Sequence, residues 1–282
     1  MNKYITSEQF NQFKEEGFVK ITDCLSTELL KKLQLFIDEV VADENDTQKV
    51  TLQVDDKKFV TNIQLLGYKN NLTCLELLAS PFLLEVAQTI CGADFFCLQE
   101  FAVIKNLGDN LPVLWHQDMI HQRTGYCFMV GVYLDDANTN DGALKVIPKS
   151  HISNKNICDV IKEEYVEIPM QAGDILVHDM MLVHSSEPLQ VNQKRRVVYF
   201  EFLSATQVEK EGIYSNELVA NRTNLLNVAL SYYKQQNPLL QQFHWKSANR
   251  QHFETVEAMR VALDEIYAIP IQGKPSNYCF EM

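Results

Sequence analysis

The chain has no Cys-x-x-Cys pair, no excess of positive charge and no run of about eighteen apolar residues, the length that would span a bilayer. Each absence removes a class of function. Nucleic-acid binding goes first: 37 acidic residues against 25 basic ones leave a formal net charge of -12, the wrong sign for holding phosphate backbones. No membrane span is expected, and the polar stretch from Met1 to Glu16 lacks the apolar centre of a signal peptide. The cysteines Cys24, Cys74, Cys91, Cys97, Cys127, Cys158 and Cys279 are odd in number and scattered. That is the usage of buried thiols in a reducing compartment, not of a disulfide framework. Nor does an internal repeat, a low-complexity tract or a Gly/Ser/Pro-rich linker divide the chain. The expectation is a cytoplasmic single domain over residues 1–282, monomer or homodimer, whose 46% hydrophobic content supports a substantial core.

The local patterns change character along the chain. Thr6 or Ser7 caps a short helix that Gly17 ends, and Ser26 caps a second, Ser26 to Val41, with Leu33, Phe36 and Ile37 in its apolar stripe. Residues 50–62 alternate as one outer strand; Leu72 to Ile90 is helical, with Pro81 opening a second helix. From about residue 95 to 204 short strands follow one another between Asn, Gly and Pro turns: 96–105, the strand carrying His116, 126–134, 143–147, 164–168, 174–178 and 196–203. Such a series indicates a mainly β fold with flanking helices, a barrel or double-sheet jelly roll. Helices return at 224–234 and 254–267, and the last fifteen residues, with Pro270 and Pro275, read as irregular. The helical frames span about 6–90 and 205–282; their carboxy-terminal aromatics Tyr232, Tyr233, Phe243 and Trp245 form a lid, a dimer face or a cover for the sheet.

Within the β region, Trp115-His116-Gln117-Asp118 places an imidazole and a carboxylate on one face of an extended segment, with Gln117 turned away. One more histidine would complete a two-histidine, one-carboxylate metal face. His184 and His178 are the candidates downstream. His184 has an arginine eleven residues on, Arg195; His178 lacks one and reads as a strand residue.

His116-x-Asp118, the run Asn-Asp-Gly-Ala-Leu-Lys-Val-Ile-Pro-Lys-Ser-His at 140–151, Gly173-Asp174, His184 and Arg195, in this order, resemble the phytanoyl-CoA hydroxylase-like branch of the Fe(II)- and 2-oxoglutarate-dependent oxygenases. The resemblance runs from about Gln9 to Ser204. It implies a double-stranded β-helix (jelly-roll, cupin-like) core, Fe(II) held by His116, Asp118 and His184, O2 as oxidant, and 2-oxoglutarate gripped at its far carboxylate by Arg195. Arg196 then points away, unless the register slips by one residue. Gly142 supplies a close turn near the site. Lys149 stands where the family has glycine, which implies a different backbone angle or a charge facing the substrate. A carboxylate at 118, where related halogenases carry a small residue, implies oxidation without halogen transfer.

Lys105, Gln99 and Tyr133 lie on strands expected beside the co-substrate. Met119, His121, Arg123, Tyr126 and Phe128 follow the motif where the family approaches its substrate, and Arg123 could pair with a substrate carboxylate or phosphate. Trp115 is expected to pack against the barrel. The leading reading is oxidation of a small molecule, as a tailoring step in specialised metabolism. The alternative within the family is acyl-CoA hydroxylation, for which a patch of Arg123, Lys149 and Arg222 would offset the acidic total. Outside it stand a metal-dependent isomerase or hydrolase on the same scaffold and a non-catalytic metal or ligand sensor.

Overall fold

A computed structural model describes residues 4–121, 123–247, 250–273 and 276–280; Met1 to Lys3, and Pro275 of the stretch expected to be irregular, lie outside them. Helix α1 (Ser7–Glu16) starts in a reciprocal cap, Thr6 Oγ1 accepting from Gln9 N and Gln9 Oε1 from Thr6 N. It stops at Gly17, whose φ of 86° favours glycine and where a Cβ would sit 2.5 Å from His151 Nδ1. Ser26 caps α2 (Thr27–Ala42), which buries Leu33, Phe36, Ile37 and Val40 at helical spacing.

The region expected as one outer strand is a hairpin, β2 (Lys49–Val54) and β3 (Lys57–Gln64). Asp55, with φ 50°, makes the turn, and aspartate tolerates the left-handed region well enough to hide a turn that has no glycine. Two helices follow, α3 (Thr73–Leu78) and α4 (Pro81–Cys91), with Pro81 opening the second as expected.

Two antiparallel sheets then close on each other. The larger has seven strands in the order β1 (Phe18–Ile21), β9 (Ile175–Asp179), β6 (Phe128–Tyr133), β11 (Lys194–Ser204), β4 (Phe95–Asn106), β3, β2. The smaller runs β12 (Asn277–Tyr278), β5 (Val113–Gln117), β10 (His184–Ser186), β7 (Leu144–Val146), β8 (Val166–Ile168). The amino-terminal frame is thus not purely helical, since it lends three strands to the larger sheet.

Alternation along the strands sorts side chains between two cores. Val198, Phe200, Phe128 and Val130 face outward into the core beneath α2, α3, α4, α7 (Asn216–Gln236) and α8 (Val256–Ala268). Val197, Tyr199, Met129 and Tyr133 face inward, between the sheets. α7 is longer than the expected 224–234 because Ser215 caps it earlier, its side chain accepting from Leu218 N. The aromatics Tyr232, Tyr233, Phe243 and Trp245 pack onto the outer core, so they cover the sheet; Trp245 also donates Nε1 to Ala93 O at 3.0 Å.

One expectation is overturned outright. Cys158, at α5 (Ile157–Val160), and Cys279, beside β12, form a disulfide across 121 residues of sequence, while Cys24, Cys74, Cys91, Cys97 and Cys127 are free thiols. The pair meets only because the carboxy-terminal stretch folds back as a strand along β5, which spacing along the chain does not reveal. Among the described residues no helix is long and apolar enough to cross a membrane.

Candidate active site

Strand pairing assembles the donors. β10 lies against β5 with His184 opposite His116, and their ring centroids are 4.2 Å apart. Asp118 follows the end of β5, one residue past Gln117. Gln117 points elsewhere, donating to Met181 O at 2.7 Å and accepting from Asn277 Nδ2 at 3.0 Å. One donor atom each from His116, Asp118 and His184 falls within 4.8 Å of the others, a spacing that fits a shared metal ion.

The donor set also suits such an ion chemically. His116 Nδ1 lies 2.8 Å from Leu114 O and His184 Nδ1 2.9 Å from Leu182 O. A carbonyl only accepts, so each Nδ1 carries the proton and each Nε2 lone pair is free to ligate. His116 Nε2 is 3.2 Å from Asp118 Oδ1, and His184 Nε2 is 3.7 Å from Asp118 Oδ2. Burial, reinforced by the neighbouring His116, pushes His184 down to about 3, so it is neutral. Burial would lower His116 too, but hydrogen bonding and charge from Asp118 outweigh it and raise it. Asp118 is held well below the usual carboxylate range, because the surrounding imidazoles outweigh its burial.

His178, on β9, is the strand residue expected of it, yet its Nε2 reaches Asp118 Oδ2 at 3.3 Å and its ring stands 4.9 Å from that of His184. Its partner is therefore one of the three candidate metal donors, and it pins one carboxylate oxygen.

Beyond the triad, on the inner face, lies a basic end. Arg195 is 1% exposed, donates Nη1 to Gly142 O at 2.7 Å and sits over the Tyr133 ring at 5.9 Å. Lys105, paired with Arg195 across β4 and β11, donates Nζ to Leu111 O at 2.8 Å. Burial and the adjacent Arg195 charge push Lys105 down to about 7. Arg195 Nε and Tyr133 Oη are buried with no hydrogen-bond partner, which leaves two donors for an anionic ligand. Gly142 makes this packing possible: at φ 81° a Cβ would meet Leu189 Cδ2 at 2.6 Å and Arg195 Cδ at 3.4 Å. Arg196 faces the other way and pairs with Asp135 and Asp38 at 2.7 and 3.0 Å.

Gln99 belongs to a different place. It lies six positions from Lys105 along β4 and donates Nε2 to Glu201 Oε2 at 2.6 Å.

The residues after the motif divide. Met119 is buried in the barrel interior. His121 Nε2 lies 3.2 Å from Glu211 Oε2, on α6 (Ala205–Glu211). Arg123 is consumed by Asp179 and by Cys127 O, so its charge is already met within the protein. Tyr126 and Phe128 pack against Phe13 of α1, in the outer core. The expectation that they approach a substrate fails on strand alternation, because Met129 and Tyr133 take the inward positions of that strand.

Lys149 keeps the left-handed backbone that glycine favours, φ 65°, and its exposed ammonium lies 3.4 Å from Glu16 Oε1. It shows neither a changed backbone angle nor a charge facing the site. Trp115 packs on the outer face of the smaller sheet, against Ile147 and Cys279.

Three participants escaped the sequence reading. Glu201 shares strand parity with Arg195, and that signal was readable. His178 stands in the sequence as the alternative metal candidate and a strand residue, and its bond to Asp118 Oδ2 is what the sequence does not show. Tyr278, stacked on the His116 ring at 5.0 Å and 8°, sits on a two-residue strand with no periodicity to read; Ser276 beside it donates to Asp118 O at 3.0 Å.

With this geometry established, comparison with known proteins is informative. The family model described as Phytanoyl-CoA dioxygenase (PhyH) matches residues 13–197. No curated protein matches the chain. Among solved structures the chain is similar to EvdMO1, with TM-score 0.65 and 24% identity over 70% of this chain and 50% of that one, so it spans half of that relative's length. It is similar to AviO1 from Streptomyces viridochromogenes Tue57, with TM-score 0.64 and 21% identity over 73% and 97%. A third likeness is to SnoK, a non-heme alpha ketoglutarate dependent carbocyclase from nogalamycin biosynthesis, with TM-score 0.63 and 19% identity over 72% and 86%. At these identities the structures speak for the fold.

Proposed function

Because the chain belongs to the phytanoyl-CoA dioxygenase family of Fe(II)- and 2-oxoglutarate-dependent enzymes, we propose that it oxidises an unactivated C–H bond of a small molecule, with 2-oxoglutarate and O2 as co-substrates. The observation that carries this reading is the shared barrel interior of His116, Asp118 and His184 with the buried, incompletely bonded Arg195. Iron in that donor set supplies oxygen activation coupled to decarboxylation, which yields succinate and carbon dioxide.

The remaining work falls to the chain's own side chains. Arg195 offers a planar, permanently charged fork to the far carboxylate of 2-oxoglutarate, with Tyr133 Oη as a further donor. Lys105 adds charge when a dianion arrives, since its lowered pKa rises beside negative charge. The carbonyls of Leu114 and Leu182 fix both histidine tautomers, and His178 orients Asp118. Leu182, Val197 and Met119 keep water from the interior. A carboxylate at position 118 supports oxygen chemistry over halide transfer.

Hydroxylation is the first outcome; ring formation is the second, favoured by the likeness to SnoK. A tailoring step fits better than acyl-CoA hydroxylation, because the three cations that would have formed a phosphate patch are engaged elsewhere: Arg123 with Asp179, Lys149 with Glu16, Arg222 buried beside Glu100.

Anaerobic reconstitution with Fe(II) and 2-oxoglutarate tests the reading. A visible charge-transfer band is expected, together with succinate release in air. Asp118→Ala is expected to lose iron and to lower turnover by about a thousandfold. A protein with confirmed iron occupancy and no such band would falsify the assignment.

A further inference from the structure

Strand β12 adds itself to the edge of the smaller sheet, with Tyr278 opposite His116 and Asn277 opposite Gln117. Its contacts reach the candidate metal donors. Tyr278 stacks on the His116 ring at 5.0 Å, Ser276 Oγ donates to Asp118 O at 3.0 Å, and Asn277 Nδ2 donates to Gln117 Oε1 at 3.0 Å. The strand therefore covers one flank of His116 and Asp118. Apolar burial does little to hold it there, since Tyr278 is 40% exposed and the neighbouring Phe280 77%. A two-residue strand frays without an anchor, because ordering each residue costs more conformational entropy than one hydrogen bond offsets. The anchor is the disulfide Cys158–Cys279, which ties β12 to α5.

This bond stands apart from the chain's other cysteines. Cys24, Cys74, Cys91, Cys97 and Cys127 are free thiols, three of them buried. Burial pushes Cys24 up to about 12, the charges of Asp174 and Asp23 adding to it, and it raises the other four as well. The thiolate is the attacking species in exchange, so these groups leave the disulfide alone. Within the pair, Cys279 is 7% exposed and sits in a small apolar cluster with Ile147, Ile157, Val160 and Val183. Cys158 is only half-buried, which makes it the sulfur that a reductant from solution meets.

We propose that Cys158–Cys279 is a thiol–disulfide exchange site that latches β12 over the metal donors, opened by a dithiol reductant and closed by the matching disulfide. That the donors hold iron rests on the oxygenase reading above. Opening begins when a thiolate of the dithiol attacks Cys158 Sγ: the bond between the two cysteines breaks, and Cys279 leaves as a thiolate that takes up a proton. The second thiolate of the reductant then attacks the mixed disulfide and releases Cys158, which is protonated in turn. The protein gains two electrons and two protons, and the dithiol is oxidised to its own disulfide. Without the anchor β12 leaves β5, and water reaches the flank of His116 and Asp118. Closing is the reverse reaction.

The test equilibrates the full-length protein with mixtures of reduced and oxidised dithiothreitol and counts reactive thiols by native alkylation and mass analysis. Cys158 and Cys279 should become labelled together as the mixture turns reducing. Hydrogen exchange on the metal-free protein is expected to quicken about tenfold or more over residues 276–280 in the reduced protein, in Cys158→Ser and in Cys279→Ser, while α2 stays level. Under anaerobic conditions without thiols, Fe(II) should pass to a chelator about tenfold faster from either serine variant than from the oxidised protein, the order of loss expected when contacts around metal ligands are removed. Tyr278→Ala keeps the disulfide and should give part of that acceleration, which ties it to the stack on His116. The proposal falls if no mixture closes and opens the bond, if exchange over 276–280 is equal in both states or rises equally throughout the chain, or if iron is held equally firmly with β12 released. The two readings separate cleanly. Protein that binds no Fe(II) loses the oxygenase reading, and exchange in the metal-free protein still decides whether the disulfide holds β12; protein that binds Fe(II) and 2-oxoglutarate with no response to the disulfide loses only the latch.

Discussion

The two ends of the barrel interior are built from the same two strands and behave as opposites. At one end Lys105 and Arg195 face each other across β4 and β11; at the other Gln99 and Glu201 do. Both ends bury an ionisable group, and in both burial is the largest cause of the shift, yet Lys105 is driven down to about 7 and Glu201 up to about 7. The difference teaches that the barrel has an electrostatic direction. The first end presents buried cations and the second a buried acid, with the candidate metal donors between them.

The sharpest way to break this comparison is to titrate it in the protein without ligands. Between the ordinary carboxyl value of 4.5 and about 7, the folded chain holds a proton on Glu201 that the unfolded chain has released, so stability falls as pH rises. Between about 7 and the ordinary lysine value of 10.5, the unfolded chain holds the extra proton on Lys105, so stability rises with pH. The pair therefore contributes a minimum near neutrality, the Glu201 arm on the order of 3 kcal/mol and the Lys105 arm on the order of 5 kcal/mol. Urea denaturation from pH 5 to 9.5 on wild type, Glu201→Gln and Lys105→Met checks it. The glutamine variant should lose the falling arm and the methionine variant the rising one. Parallel curves for all three proteins would mean that neither group is shifted as described.

A smaller effect is expected from Arg195→Lys, which keeps the charge and removes the fork. Binding of 2-oxoglutarate should weaken by about 2 kcal/mol, roughly thirtyfold, because a point charge replaces a bidentate donor. Iron stoichiometry should be unchanged, since Arg195 touches none of the three donors. Affinity measured from the charge-transfer band, beside metal analysis, separates the two. Equal loss of iron and co-substrate would show that the basic end and the triad are not independent.

Much of this polarity was readable before any coordinate. His116, Asp118, His184 and Arg195 follow from alternation, spacing and resemblance, and the strand that carries Arg195 is placed within two residues, whereas β10, the three-residue strand that carries His184, is not expected at all. Glu201 is equally legible by parity with Arg195, since positions 195, 197, 199 and 201 share one face of β11. Other features were beyond sequence reasoning for physical reasons. The hairpin at 49–64 turns on aspartates and not on glycine. Cys158 and Cys279 meet only after β12 folds back on β5, and the Tyr278 contact to His116 depends on that same return. The outward side of Phe128 was fixed by strand register, which a shift of one residue would have reversed.

The smallest expected effect belongs to Lys149→Gly, a change at neither end. Three terms compete at this position. Relief of the left-handed backbone at φ 65° favours glycine by about 1 kcal/mol. Against it stand the ion pair to Glu16, exposed and worth about 0.2–1 kcal/mol, and the extra freedom glycine gives the unfolded chain, about 0.4–1 kcal/mol. The net change should lie between about 0.4 kcal/mol of stabilisation and about 1 kcal/mol of destabilisation, its ion-pair part shrinking as salt is added. Because the Lys149 side chain reaches toward α1 and not into the barrel, binding of 2-oxoglutarate should be unaltered. A shift in that affinity would place a charge at position 149 within reach of the interior, and the basic end would then hold a third cation beside Lys105 and Arg195.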